Sequence, residues 1–224
     1  DKSTTYGSGP IQPIVVGGRI IFVDRSLLQI FTQLFDFASN GYQTEEITAV
    51  ADHITKPSLR TGLIAFQKRP DSRMFFVRSD GVLVVLTYFV NQKVVGFTRF
   101  TTPGTYEAVA CIPSSAGKAD QVWVIVKRTV NGQLKRYVEV FDEENEFIID
   151  RDWKSLQTDC GLYTVGVSRT VQTGLNHLEG LTVDVITDKY DGAGAGYRGT
   201  KVVAGGQINC LGVSRSRLAW SDCV

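Results

Sequence analysis

Two short turns constrain this chain more than any other feature. Asp80-Gly81 lies between Arg73-Met-Phe-Phe-Val-Arg78 and Val82-Leu-Val-Val-Leu-Thr-Tyr88. Asn131-Gly132 lies between Gln121-Val-Trp-Val-Ile-Val-Lys127 and Leu134-Lys-Arg-Tyr-Val-Glu-Val-Phe141. Asp-Gly and Asn-Gly tolerate the positive φ that a tight hairpin demands, so each pair between β-branched and aromatic runs predicts a β-hairpin. A third β-rich run, Arg19-Ile-Ile-Phe-Val23, follows Gly17-Gly18. These signals exclude an all-α fold and predict an all-β one.

One helix is expected near 44–56. Thr44 would cap it, Glu45 and Glu46 would sit in the first turn where the helix dipole favours anions, and Pro57 would stop it. Ile47, Val50, Ala51 and Ile54 fall at i, i+3, i+4 and i+7, a single apolar stripe. The run Leu27 to Phe37 suits either a strand or a short helix, and reads as a strand because polar residues and glycine bound it and β-rich sequence surrounds it.

A faint repeat runs through the first two-thirds. Arg19-Ile-Ile-Phe-Val-Asp-Arg-Ser resembles Arg73-Met-Phe-Phe-Val-Arg-Ser-Asp 54 positions later, and Gln121-Val-Trp-Val-Ile-Val-Lys-Arg follows after 48 more. Periods of about 40–50 residues built from antiparallel strands are those of propeller blades, although a β-sandwich with evenly spaced hairpins gives a similar pattern. Beyond Asp150 the texture changes. Arg151 to Gly174 holds few regular runs, whereas Leu181-Thr-Val-Asp-Val-Ile186 alternates with Val183 and Val185 on one face. Short strands are expected at 200–203, 207–213 and 217–220. The expected organisation is therefore propeller-like antiparallel β over 1–150 and a small β-barrel or sandwich module over 151–224.

Composition narrows the function classes. The chain has 224 residues, 43% hydrophobic and 21% charged, which is too apolar for a disordered chain. Lys and Arg total 24 against 23 Asp and Glu, so no whole-surface basic field exists for gripping nucleic acid. No apolar run approaches the ~18 residues a membrane helix needs. The polar start at Asp1, without Met, reads as a processed product or a cut-out piece with no signal peptide. Cys111, Cys160, Cys210 and Cys223 are widely spaced, with no Cys-x-x-Cys, which argues against zinc; two disulfides are arithmetically open, but a chain of this size needs no staple, so reduced thiols are expected. No asparagine opens an Asn-x-Ser/Thr sequon, in keeping with assembly in a cytoplasm.

No catalytic set emerges. His53 and His177 are the two histidines, and neither accompanies a Gly-x-Ser-x-Gly elbow, so both read as structural. Gly194-Ala-Gly196-Tyr-Arg-Gly199 matches the dinucleotide fingerprint but runs into Thr200-Lys-Val-Val, a strand, where a helix N-terminus is required to hold the pyrophosphate. Asp184, Asp188 and Asp191 lack the alternate spacing and distal Glu of a calcium loop. Asp142, Glu143, Glu144, Glu146 and Asp150 read as a solvated acidic loop more readily than as a glycosidase pair. The pairs Lys127-Arg128 and Lys135-Arg136 flank a hairpin tip, where charge serves solubility and edge protection. Trp123, Phe75, Phe76 and Tyr88 sit on apolar strands as core residues. The residues thus assign no catalytic, cofactor-binding or metal site, and the expectation is a protein that is not an enzyme.

The order of the motifs adds a resemblance. Val23-Asp-Arg-Ser26 is followed by Tyr42 and Thr48-Ala-Val-Ala-Asp-His53-Ile, then Arg73 through Tyr88, then Gln92-Lys-Val-Val-Gly-Phe97-Thr-Arg. Thr102-Pro-Gly104-Thr-Tyr-Glu107-Ala-Val-Ala-Cys-Ile-Pro113, Val122-Trp-Val-Ile-Val-Lys-Arg128 with Asn131-Gly132, and Arg136-Tyr-Val-Glu139 come next. Asp159-Cys-Gly-Leu-Tyr163 and Gly174-Leu-Asn-His-Leu178-Glu-Gly180-Leu-Thr-Val183 close the series. Over roughly 15 to 213 this progression resembles the bacteriophage tail proteins of the nozzle or tail-tubular type, virion components of the distal channel or connector. The resemblance implies β-propeller-like blades followed by a small β module, and no active site. It implies copies of the chain in a ring around the DNA path, beside neighbouring tail, connector and fibre proteins. DNA would pass transiently without specific binding, with no membrane insertion, in a virion tail assembled in the bacterial cytoplasm. Proteins of this type are usually longer, which implies a fragment, a reduced homologue or one piece of a split component. Gly96-Phe97-Thr98-Arg99 carries Phe where such proteins commonly carry Trp. The alternative on the residues is a receptor- or carbohydrate-binding β module at the virion surface.

Overall fold

The computed structural model describes residues 5–113, 119–141, 160, 162–190 and 196–220. They form two compact units, Asp1–Lys127 with Tyr137–Phe141, and Arg128–Arg136 with Asp142–Val224. Both are all-β.

The first unit is a succession of antiparallel meanders. β1 (Ile14–Val16), β2 (Arg19–Val23), β3 (Ile30–Asp36) and β4 (Gly41–Glu46) make the first sheet, in that spatial order. β5 (Leu59–Gln67), β6 (Arg73–Arg78), β7 (Leu83–Phe89) and β8 (Val94–Phe100) make the second in the same way. β9 (Thr105–Pro113), β10 (Asp120–Val130) and β11 (Gln133–Val140) make the third, with β10 central. The base of the β10–β11 hairpin belongs to the first unit and its tip, 128–136, to the second. Both anticipated hairpins are present. Asn131 and Gly132 take φ of 50° and 72°, and Gly81 takes 85°. Gly17 and Gly18 close a further hairpin, pairing Val16 with Arg19, which the sequence reading did not anticipate.

The sheets stack face to face. Ile21, Val23 and Ile30 of the first pack on Met74, Phe76, Val84 and Leu86 of the second. The opposite face of the second sheet, with Phe75, Val77, Leu83 and Val85, packs on Val109, Val122, Val124 and Val126 of the third. The middle sheet is therefore buried on both faces. That is why β6 and β7 read as continuous apolar runs, while β10 alternates. Fully burying each Leu, Val or Phe contributes about 1.5–3 kcal/mol. The three repeat copies begin at Arg19, Arg73 and Gln121, on β2, β6 and β10, each the second strand of its sheet in chain order. The repeat marks one sheet per copy.

Polar joints hold the stack. The Gln67 amide donates to Asp120 O (2.9 Å), and the Asp120 carboxylate accepts from Lys68 N–H (2.8 Å) and Arg69 N–H (3.0 Å), tying the end of β5 to the start of β10. After β2, Asp24 accepts from Ser26 N–H (2.9 Å), Ser26 Oγ–H (2.8 Å) and Gln29 N–H (3.1 Å). Burial raises its pKa, and these bonds outweigh that effect, leaving the carboxyl below its usual range. Arg78 is buried. It donates through Nη1 to Ile54 O (3.1 Å), through Nε to Asp80 Oδ1 (3.0 Å) and through Nη2 to Asp80 Oδ2.

The Arg78 hydrogen bond holds the Asp80 carboxyl below its usual range, more than partial burial raises it. A carboxyl with a depressed folded pKa stabilises the fold fully above its unfolded value of about 3.9, and that stability is lost as pH falls through the folded value. Wild type is therefore expected to lose stability from about pH 4 downward relative to Asp80→Asn, whose profile flattens there. Denaturant titrations at stepped pH read this directly, and parallel profiles would refute it.

The expected helix over 44–56 is absent. Gly41–Glu46 is β4, pairing Thr44 with Gln33 and Glu46 with Phe31, and only Asp52–Ile54 forms a short 3₁₀ turn. The ladder takes the backbone groups a helix would need, and Thr48 extends it by accepting from Ile30 N–H (3.2 Å) and donating to Glu46 (2.9 Å). The apolar stripe splits accordingly. Ile47 and Ile54 are buried, whereas Val50 is 96% exposed. Leu27–Phe37 does contain a strand, β3.

The second unit holds β12 (Leu162–Thr173), β13 (Thr182–Tyr190), β14 (Gly196–Val202) and β15 (Gln207–Trp220) in the order β12-β15-β13-β14. This described sheet is open, which corrects the barrel expectation. Loop residues cover one face instead: Leu175, Leu178 and Val203 pack with Val183, Val185 and Ile208. β12 crosses the stretch expected to lack regular runs. Register shifts between Val165 and Arg169 and between Arg169 and Val171 break the two-residue alternation that would have announced it. Val183 and Val185 share the buried face, as the alternation implied.

Candidate functional site

A polar cleft lies within the second unit, where two tight turns approach the 3₁₀ turn Asn176–Leu178. The first is Asn131-Gly132. The second is Gly205-Gly206, with φ of 64° and 67°, between the bridged residues Ala204 and Gln207. A side chain at 206 would be strained by its φ of 67° and would displace the Asn176 amide, whose Oδ1 lies 2.0 Å from where a Cβ would stand. The cleft, of about 460 Å³, is lined mainly by polar groups, among them Asn131, Gln133, Lys135, Asn176 and Glu179. Glu179 is fixed by accepting from Gly206 N–H (2.6 Å) and Gly205 N–H (2.9 Å), and those bonds hold its carboxyl below the usual range. An ionised, immobilised carboxylate beside amides and a lysine offers hydrogen bonds to a polar ligand. Among its described lining residues no nucleophile is paired with a base.

The singled-out residues are dispersed. His53 is exposed in the 3₁₀ turn 52–54, beside the Asp52–Lys56 ion pair (2.7 Å). His177 is half-buried, with Nε2 3.2 Å from Cys160 O. Cys111 and Cys160, both half-buried, form no disulfide with one another. Gly196 and Gly199 lie on β14, a strand, so the dinucleotide fingerprint has no helix after it; Gly194 is outside the described residues. Asp184 and Asp188 lie on β13. Asp191 and the acidic run Asp142, Glu143, Glu144, Glu146 and Asp150 are outside the described residues, as is Cys223. Among the described residues no group of three His, Cys, Asp or Glu side chains could hold a metal ion, and no helix is long and apolar enough to cross a membrane.

The basic pairs split. Lys135 and Arg136 are exposed, and Lys127 is half-buried 3.8 Å from Glu107. Arg128 is only 1% exposed, which corrects its reading as a surface charge. It occupies the inward phase of β10, shared with Val122, Val124, Val126 and Val130. Phe75, Phe76 and Tyr88 are core residues as expected, whereas Trp123 lies on the opposite phase of β10 and is half-buried. The cleft itself was missed. Its available signal was Gly205-Gly206 between Thr200-Lys-Val-Val and Gln207-Ile, a two-residue hairpin signature. Neither a scan against protein-family models nor a comparison with curated proteins gives a match to this chain.

Proposed function

We propose that this chain is a structural component of a bacteriophage tail, of the nozzle, tail-tube or connector kind, lining or capping the channel through which DNA leaves. The observation that carries the reading is the order of its motifs, in which the related segments at Arg19, Arg73 and Gln121 open the second strand of three stacked sheets. Stacked sheets resist deformation because every internal layer is close-packed on both sides. A net charge of +1 suits a channel wall, since each phosphate contact adds salt-dependent affinity that would stall transit. The partners in this reading are further copies of the chain in a ring, with tail, connector and fibre proteins around it. The ring assembles in the host cytoplasm and ends in the virion, and no catalytic or cofactor role is assigned. Electron microscopy and native mass spectrometry of the purified protein should show a closed homo-oligomer with an opening wide enough for duplex DNA. Duplex affinity should be no tighter than the non-specific range of about 10⁻⁴–10⁻⁶ M. A monodisperse monomer at high concentration, or tight duplex binding, would count against the reading.

The polar cleft of the second unit favours one alternative, a receptor- or carbohydrate-binding module at the virion surface. Glycan-array binding abolished by Asn131→Ala with Gln133→Ala, from a protein that forms no ring, would replace the tail-wall reading.

A further inference from the structure

The polar cleft of the second unit has one fixed wall and one built from long, exposed side chains. On the fixed side, Leu175 and Leu178 are fully buried and anchor the 3₁₀ turn that carries Asn176. Backbone bonds from Leu175 N–H to Gly206 O (2.9 Å) and from Gly180 N–H to Val203 O (3.1 Å) tie that turn to the stretch around Gly205-Gly206. Glu179 completes the tie by accepting from both glycine amides, one on each carboxylate oxygen. On the other side, Gln133 and Lys135 are two residues apart on β11 and so share a face, next to Asn131 in the hairpin turn. All three are exposed.

The donors and acceptors of this lining define what it can hold. A carboxylate offers about four lone-pair sites, and the glycine amides take two of those on Glu179. The others can accept from a pair of neighbouring O–H groups. Asn131, Gln133 and Asn176 each present an amide that both donates and accepts, as a hydroxyl does, and Lys135 adds a donor. Val130 is the one apolar side chain among the described lining residues, and it is buried. No aromatic ring is among them, so a flat heterocycle has nothing to stack on. Charge decides the rest. An anionic ligand gains Lys135 but is repelled by the ionised Glu179, and a cationic one meets the reverse. A small zwitterion pairs with both charges but leaves the three amides to water.

We propose that the cleft is a binding site for an uncharged saccharide of one or two rings. Glu179 accepts from two adjacent hydroxyls, and the amides of Asn131, Gln133 and Asn176 bracket the ring. The cleft volume of about 460 Å³ falls within the ~300–1,000 Å³ range of small-molecule sites. The wall that holds Glu179 is already in place, so binding orders only the hairpin side chains. Hydrogen bonds exchanged with water, without a stacked ring, make a weak single site with a Kd of about 1 mM. Repetition of the chain in a ring would raise the apparent affinity by about 10²–10⁴. This assignment rests on the surface-module alternative's use of the cleft as a binding site, and it holds with or without a ring.

The test is saturation-transfer NMR on the intact chain, which reads weak binding to an assembly of any size. The uncharged probes are glucose, galactose, mannose, N-acetylglucosamine and lactose; the charged ones are glucosamine, glucuronate and alanine. At least one uncharged probe should bind about tenfold more tightly than every charged one. Lys135→Glu, which puts two carboxylates in the cleft, should weaken that probe about tenfold and reverse the order in favour of glucosamine. Gln133→Ala should weaken it as well, and circular dichroism checks both folds. Phe37→Ala, at an aromatic hairpin tip of the first unit where Phe37 is 89% exposed, is the control and should change nothing. Binding lost in Phe37→Ala but kept in Gln133→Ala would move the sugar to that tip and overturn the proposal. Folded Gln133→Ala and Lys135→Glu that both bind like wild type overturn it too, as does a charged probe that binds most tightly. A ring that binds no uncharged probe overturns the site and spares the tail reading. A monomer that binds one through the cleft sinks the tail reading and spares the site.

Discussion

Phe76→Ala is expected to lower the unfolding free energy by about 3–5 kcal/mol, and Phe75→Ala by a similar amount, although the two side chains point to opposite faces of β6. Phe76 is in the core between the first and second sheets, and Phe75 in the core between the second and third. Each truncation removes ring area from water-free contact and leaves a cavity that close-packed sheets on both sides cannot collapse to fill. A surface strand would show a large loss at one of two adjacent positions and almost none at the other. Val50→Ala, in the exposed turn after β4, should stay within about 0.5 kcal/mol of wild type. Urea titrations with matched slopes measure all three. A loss below about 1 kcal/mol at either phenylalanine would show that the middle sheet is not buried on both faces.

Gly81→Ala should cost about 2–5 kcal/mol, because two separate penalties meet there. Its φ of 85° is strained for any side chain, at roughly 1–2 kcal/mol. An added Cβ would also lie 2.5 Å from Thr105 Cβ and 3.0 Å from Thr105 Cα, forcing apart the second sheet's hairpin and the start of β9, a strain of about 1–3 kcal/mol. The contact is already close because Tyr106 N–H donates to Gly81 O at 2.8 Å. Gly62 is the control. Its φ is 74°, but an added Cβ there meets nothing within 4 Å, so Gly62→Ala should show the backbone penalty alone. Equal losses at the two sites would mean that the hairpin does not press on the third sheet.

The hairpins were legible because Asp-Gly and Asn-Gly carry their own geometry. The continuous apolar runs of β6 and β7 were legible as strands, although periodicity could not say that both faces were covered. The 44–56 segment misled because its helical signals are real locally. Pairing with β3 and the Thr48 bridge outweigh them, and nothing in the segment itself reveals a partner strand. β12 was hidden by its register shifts, and Arg128 by the habit of placing charge near a hairpin tip on the surface. The cleft around Glu179 was invisible for another reason. Its lining comes from three separate segments, around 130–135, 176–179 and 205–206, which only the fold brings together.

The doubly covered middle sheet also limits how this polypeptide can drift. Along β6 and β7 almost every side chain is shared with one neighbouring layer or the other, so few positions can exchange polar residues without consequence. Substitutions there have to preserve volume, and a change on one phase has to be answered across its own joint. Lineages of this molecule should therefore diversify at β8, β4 and the hairpin tips, while the central pair of strands moves only by matched aliphatic and aromatic swaps.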